Sequence, residues 1–74
     1  MSITEAELRA TVATALGIHP DEIDSDANLV SLGLSSLEVM RMASRWRREN
    51  HRVSFAALVG TPTLSCWLDR LNGR

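Results

Sequence analysis

The sequence predicts an all-α fold: a four-helix bundle with three longer helices, a short third helix and a long first loop. Three observations carry this. Apolar residues recur at helical spacing in separate segments. Good capping residues stand at the segment boundaries. And 74 residues with a single cysteine, Cys66, can form no internal disulfide, so a compact helical bundle is the economical way to stay folded at this size. A chain this short buries only about 60% of its unfolded surface. Residues 1–74 are therefore expected to be one small domain.

The first helix is expected over Thr4 to Leu16. Thr4 can cap it, and Glu7 three residues on completes a capping box, with Ile3 and Leu8 placed as a hydrophobic staple. Leu8, Val12, Ala15 and Leu16 form its apolar stripe, and Gly17 suits the position just past its end. Ile18 to Gly33 is then a long connection, longer than helix–helix links usually are, and long links are often functional. Ile18, Ile23, Leu29 and Leu32 are spaced to pin it to the bundle.

The second helix is expected from Ser35 or Ser36 to Glu49. With Ser35 as cap, Glu38 falls at the third helical position, a second capping box, and Ser36 is the first helical residue. Val39, Met42, Ala43 and Trp46 make the buried stripe, while Leu37 and Met40 lie off its centre beside Ser36. A short third helix over Ser54 to Val59 uses Phe55 and Leu58 for its apolar contacts, with Val53 as a core anchor before it. The fourth begins at Thr61-Pro62, Thr61 as cap and Pro62 in the first turn. Leu64, Trp67, Leu68 and Leu71 follow the i, i+3, i+4, i+7 pattern, and Gly73 marks the end.

Composition excludes several functions. Hydrophobic residues are 45% and charged residues 23%, too apolar for a disordered chain. No apolar run approaches a membrane span of ~18 residues and no signal peptide is visible. The lone cysteine fits a reducing cytoplasm. The net charge is −1, but unevenly placed. Asp21 to Glu38 holds five acids and no basic residue. Val39 to Arg52 holds five arginines and one acid, Glu49. This arginine-rich stretch is either a solvated face or a docking surface for an acidic partner. A nucleic-acid domain would show a basic excess, and Trp46 belongs to the core stripe, so Arg45-Trp46-Arg47-Arg48 is not read as a nucleic-acid motif.

The paired serines Ser35 and Ser36 are the candidate site. Hydrolytic chemistry at a serine needs a base, an orienting acid and oxyanion donors. The histidines, His19 and His51, lie in separate loops, and the serine context lacks the flanking glycines of a nucleophile elbow. No catalytic residues are assigned. His19, His51 and Cys66 also lack metal-ligand spacing, so no metal is expected. His19 reads as a solvated loop residue and Cys66 as a semi-buried helix residue. Covalent modification needs less: an exposed hydroxyl, well positioned and recognised. A phosphate ester on Ser36 would sit at the positive end of a helix dipole, with Leu37 and the adaptable Met40 as a greasy contact for a partner. The plainer alternatives are that both serines only cap and that Leu37 and Met40 only cover the core edge.

Asn28-Leu29, Leu32-Gly33-Leu34-Ser35-Ser36-Leu37 and Pro62-Thr63-Leu64 resemble the carrier protein superfamily, and the resemblance covers essentially the whole chain. Its signature is Gly-x-Asp-Ser-Leu/Ile, whose serine receives a 4′-phosphopantetheine arm from coenzyme A. By position the resemblance implies Ser36 as the attachment residue. Within the superfamily, Met40 to Arg48, Val53-Ser54-Phe55-Ala56-Ala57-Leu58 and Thr61 to Leu68 look like the aryl carrier domains of siderophore assembly lines. Fatty acid carriers usually present an acidic second helix, unlike this arginine-rich one. The resemblance implies a non-catalytic, monomeric carrier that presents aryl or aminoacyl thioesters in nonribosomal peptide synthesis. Its partners would be a phosphopantetheinyl transferase, an adenylation enzyme, and a condensation or other modifying domain, with no nucleic acid and no membrane. Leu34, Ser35, Leu37 and Met40 would form the partner contact, with Phe55 on the third helix as a second surface. The alternatives are an acyl carrier protein of a polyketide or fatty acid pathway, or an unmodified helical interaction module. One position departs from the signature: Ser35 stands where Asp is usual, which keeps a capping side chain, loses a negative charge and makes Ser35 a rival attachment site. Met1 suggests a natural start, and Asn72-Gly73-Arg74 could be an end or a cut.

Overall fold

The computed structural model describes residues 3–73; Met1 and Arg74, on which the expectations about the chain's ends rest, lie outside the described residues. Four helices follow in order: α1 (Glu5–Leu16), α2 (Ser36–Arg48), α3 (Phe55–Gly60) and α4 (Leu64–Leu71). No strand occurs among the described residues. Thr4 caps α1, its Oγ1 accepting the Glu7 N–H at 3.1 Å. Gly17 ends α1 at φ +72°, a left-handed conformation that a side chain would strain.

The helices bury the stripes their periodicity requires. All four residues of the α2 stripe (Val39, Met42, Ala43, Trp46) are in the core. On α1 the buried set is Leu8, Val12 and Ala13, with Ala15 and Leu16 at the core edge. On α4, Leu64, Trp67 and Leu71 are buried and Leu68 half-buried. The two tryptophans meet edge to face, ring centroids 5.9 Å apart at 76°, a favoured aromatic geometry. Trp67 Nε1 also donates to the Leu58 carbonyl at 2.8 Å in the buried interior. One side chain thereby joins α2, α3 and α4.

The start of α4 differs from expectation. Thr63, not Thr61, is the cap, its Oγ1 accepting the Cys66 N–H at 3.2 Å, and the helix begins at Leu64. The physical reason lies in the preceding residues. The Pro62 carbonyl accepts the Leu29 N–H at 2.7 Å across from the long loop, and Thr61 Oγ1 donates back to Ala57 O at 2.9 Å at the end of α3. Both residues are committed elsewhere, so α4 has eight residues rather than about eleven.

The long loop is more ordered than its sequence suggests. Pro20–Glu22 form a 3-10 turn. His19 caps it through Nδ1, which accepts the Asp21 N–H at 3.1 Å, while Glu22 accepts the His19 N–H at 2.8 Å. Ile23 and Leu29 anchor the loop in the core as expected. Arg9 holds its middle, donating to the Ile23 carbonyl at 3.2 Å and to Ser25 Oγ at 2.7 Å. Arg9 also pairs with Glu5 at 2.8 Å, and that guanidinium holds the Glu5 carboxyl below the usual range. From the other side, the Ser65 N–H of α4 donates to the Ser25 carbonyl at 3.1 Å.

Candidate functional site

The loop reaches α2 through a tight turn. Leu32 N–H donates to Asn28 O, Gly33 N–H to Val30 O and Leu34 N–H to Leu29 O, at 3.0 to 3.2 Å. Gly33 sits at φ +110°, where only glycine is comfortable. Two leucines then exchange the roles expected of them. Leu32 was expected to anchor the loop but is 44% exposed. Leu34 was expected in the partner contact but is 2% exposed. The correction follows from the turn: Leu29 and Leu34 are bonded together and face inward as a pair, which turns Val30 and Leu32 outward. A buried Leu34 cannot offer its side chain to a partner; it fixes the backbone immediately before the serines.

Ser35 and Ser36 occupy distinct positions. Ser35 is extended (φ −81°, ψ 160°), and its Oγ accepts the Glu38 N–H at 3.2 Å, so it is the N-cap of α2. Ser36 is the first residue of α2 and is exposed. Among the described residues nothing hydrogen-bonds its hydroxyl. The N–H groups of the first helical turn make this end of α2 partly positive, and a thirteen-residue helix has a full dipole behind it. Acidic Glu38 in the first turn and Arg45, Arg47 and Arg48 in the last complement that dipole. An ester phosphate on Ser36 would meet the favourable end.

Two large apolar side chains of α2 lie beside this hydroxyl on the surface. Leu37 is 55% and Met40 51% exposed, and Met40, four residues on from Ser36, lies on the same helix face. Val30 and Leu32 in the loop just before α2, and Val59 on α3, are exposed as well. Val59 ends the third-helix segment Phe55 to Val59 expected as the second surface, Leu32 was expected to face inward, and Val30 was not singled out, because the direction of the loop residues depends on the 28–34 turn. Phe55, the expected second contact, is half-buried against the core edge.

The remaining candidates have structural work. His51 Nδ1 lies 2.9 Å from the Leu71 carbonyl, to which it donates, and His19 caps the 3-10 turn. Among the described residues neither histidine bonds a serine hydroxyl, and no three His, Cys, Asp or Glu side chains gather where they could hold a metal. Trp46 is in the core and offers no stacking face. Arg45 pairs with Glu49 at 3.3 Å on the surface, an arrangement worth little. No helix among the described residues is long and apolar enough to cross a membrane.

Residues 6–71 match the family model described as "Phosphopantetheine attachment site". Phenyloxazoline synthase MbtB of Mycobacterium tuberculosis (strain H37Rv) is 45% identical over 60 residues, covering 81% of this chain and 4% of the synthase. The isochorismatase of Bacillus subtilis (strain 168) is 33% identical over 67 residues, 90% of this chain and 22% of that protein. Enterobactin synthase component B of Escherichia coli (strain K12) is 33% identical over 64 residues, 86% and 22% respectively. The chain thus spans less than a quarter of the length of these relatives.

Proposed function

The chain belongs to the phosphopantetheine attachment-site family, and on that premise we propose that Ser36 is the residue that bears the 4′-phosphopantetheine arm. The observation that carries this is the division of labour between the serines. Ser35 Oγ is engaged as cap of α2, whereas the Ser36 hydroxyl is exposed at the positive helix end and has no hydrogen-bond partner among the described residues. The residues fit the group: a free hydroxyl, a helix N-terminus that favours the anionic phosphodiester, and apolar neighbours suited to a protein surface that delivers it. When bound, the arm supplies a flexible thiol that carries an acid as a thioester. Attachment forms a bond from Ser36 Oγ to phosphorus of coenzyme A, breaks the pyrophosphate bond to the nucleotide, and releases the hydroxyl proton.

The chain's own residues position and present; we assign it no catalysis. Leu34 and Gly33 set the backbone ahead of the site, Ser35 starts the helix, and Leu37 and Met40, with Val30 and Leu32, form the contact patch. Ser35 in place of the signature Asp keeps the cap. Residues 1–74 are read as a single carrier domain, in keeping with the family match over residues 6–71, and the single cysteine, which can form no internal disulfide, suits a cytoplasmic location. The similarity to MbtB and to enterobactin synthase component B, with the arginine-rich α2, supports a carrier of aryl or aminoacyl thioesters in siderophore-type nonribosomal synthesis. It would be loaded by an adenylating enzyme and unloaded by a condensation or other modifying domain. Incubation of the purified chain with coenzyme A and a broad-specificity transferase tests this. A mass increase of one phosphopantetheine that vanishes in Ser36→Ala is expected; an unmodified chain would overturn it.

A further inference from the structure

At the opposite end of α2 from Ser36, the chain forms a groove lined by Arg47, Asn50, His51, Arg52, Val53 and Arg70, with no carboxylate in its lining. Thirteen residues of α2 at ~1.5 Å each put the ends about 18 Å apart. Hydrogen bonds tie down the backbone on one side of the groove and Arg70 on the other. Asn50 reverses the chain in the left-handed region at φ +71°, with its N–H on Arg47 O at 3.1 Å and the His51 N–H on Trp46 O at 2.9 Å. His51 Nδ1 staples this turn to the Leu71 carbonyl of α4 at 2.9 Å. On the other wall Arg70 Nε donates to Thr61 Oγ1 at 3.0 Å, and that hydroxyl is itself held by Ala57 O. A preorganised wall freezes fewer rotamers when a ligand arrives.

Three of the chain's eight basic residues thus converge on one groove in a protein of net charge −1. The basicity is local. Glu49, the one acid between Val39 and Arg52, is paired with Arg45 and lies outside the lining. The chemistry of the occupant follows. Guanidinium groups match carboxylates through paired N–H donors, and buried Val53 and half-buried Ala57 give the floor an apolar character. A nucleic acid would find both tryptophans buried, with no indole face for base stacking. A second copy offering its acidic loop would instead give a concentration-dependent oligomer, a closed pair or an open chain, which the sedimentation arm below detects. We infer that this groove is a docking surface for an acidic, extended segment of a partner protein, with carboxylates flanking an aliphatic side chain. It holds the domain by the end remote from Ser36 and leaves the Ser36 face free, and it does not depend on Ser36 being modified.

The probe is a fluorescein-labelled acetyl-Glu-Glu-Leu-Glu-Glu-Leu peptide, titrated with the full chain and read by fluorescence anisotropy. Saturable binding is expected that weakens on going from about 50 to about 300 mM salt. Arg47→Glu/Arg52→Glu should weaken it on the order of tenfold, while Arg41→Glu/Arg45→Glu, with the same net charge change, should leave Kd within about twofold. Circular dichroism checks the fold, and Arg47→Gln/Arg52→Gln replaces the first variant if it unfolds. Absence of saturable binding overturns the inference, as does an equal loss in both double variants. So does an oligothymidine probe that binds as tightly through Arg47 and Arg52, or self-association in sedimentation that disappears in Arg47→Glu/Arg52→Glu.

Discussion

Alanine at Ser35 and alanine at Ser36 should have opposite consequences for stability, although the two hydroxyls are adjacent. Ser35 Oγ accepts the Glu38 N–H at 3.2 Å. Removing an N-cap side chain costs about 0.5–2 kcal/mol. This bond is long and its site exposed, so water replaces part of it and the loss falls near 1 kcal/mol. Ser36 Oγ has no partner among the described residues, and alanine is the better helix former by a few tenths of a kcal/mol. Ser36→Ala should therefore be neutral or slightly stabilising. Urea unfolding followed by far-ultraviolet circular dichroism reads both. With a slope near ~1 kcal/mol per molar for a chain this small, Ser35→Ala should lower the midpoint by about 0.5–1 M and Ser36→Ala should shift it by less than about 0.3 M. Ser35→Asp retains a cap and adds a carboxylate at the positive helix end, worth roughly 0.3–1 kcal/mol, so its midpoint should equal or exceed the parent's. If Ser36→Ala costs as much as Ser35→Ala, the assignment of cap and free hydroxyl is wrong.

Two further outcomes are expected. Trp67→Phe leaves the buried Leu58 carbonyl without its 2.8 Å donor, a loss of about 1–3 kcal/mol, to which the smaller ring adds a packing defect. At about 4–8 °C per kcal/mol for a domain of this size, the melting temperature should fall by roughly 10 °C; a fall of under about 4 °C would mean the bond contributes little. Leu37→Glu/Met40→Glu alters two exposed side chains, so stability should change by no more than about 0.5 kcal/mol. Modification and thioester loading rates should nevertheless drop on the order of tenfold if these side chains meet the partner; unchanged rates would remove both from the contact patch.

Most of the architecture could be read from local signals. Thr4 and Ser35 cap the first two helices as their side chains suggest, Ser54, expected as the first residue of the third helix, is instead its cap, and the α2 stripe is buried residue for residue. These features depend on spacing within one helix. What escaped the sequence depends on contacts between distant segments. Thr61-Pro62 looks like a helix start, but Pro62 bonds Leu29 and Thr61 bonds Ala57, so the start moves to Thr63. Leu32 and Leu34 are chemically identical, and only the bonding of Leu34 to Leu29 decides which is buried. The ordering of the long loop by Arg9, Ser25 and Ser65 crosses three elements and has no local signature. At the site, the two serines could be told apart because a capping position and a first-turn position differ by one residue in register. Val30 and Leu32 in the exposed patch could not, since their direction is set by the turn at Gly33. The basic groove has the same character: its arginines come from α2, the following loop and α4.

Ser36, and not Ser35, is proposed to accept the arm. Tandem mass spectrometry of the peptide spanning both serines, after treatment of the chain with coenzyme A and transferase, decides it directly. One phosphopantetheine per chain is expected, located on Ser36, absent from Ser36→Ala and retained in Ser35→Ala. A modified Ser35, or full modification of Ser36→Ala, would contradict it.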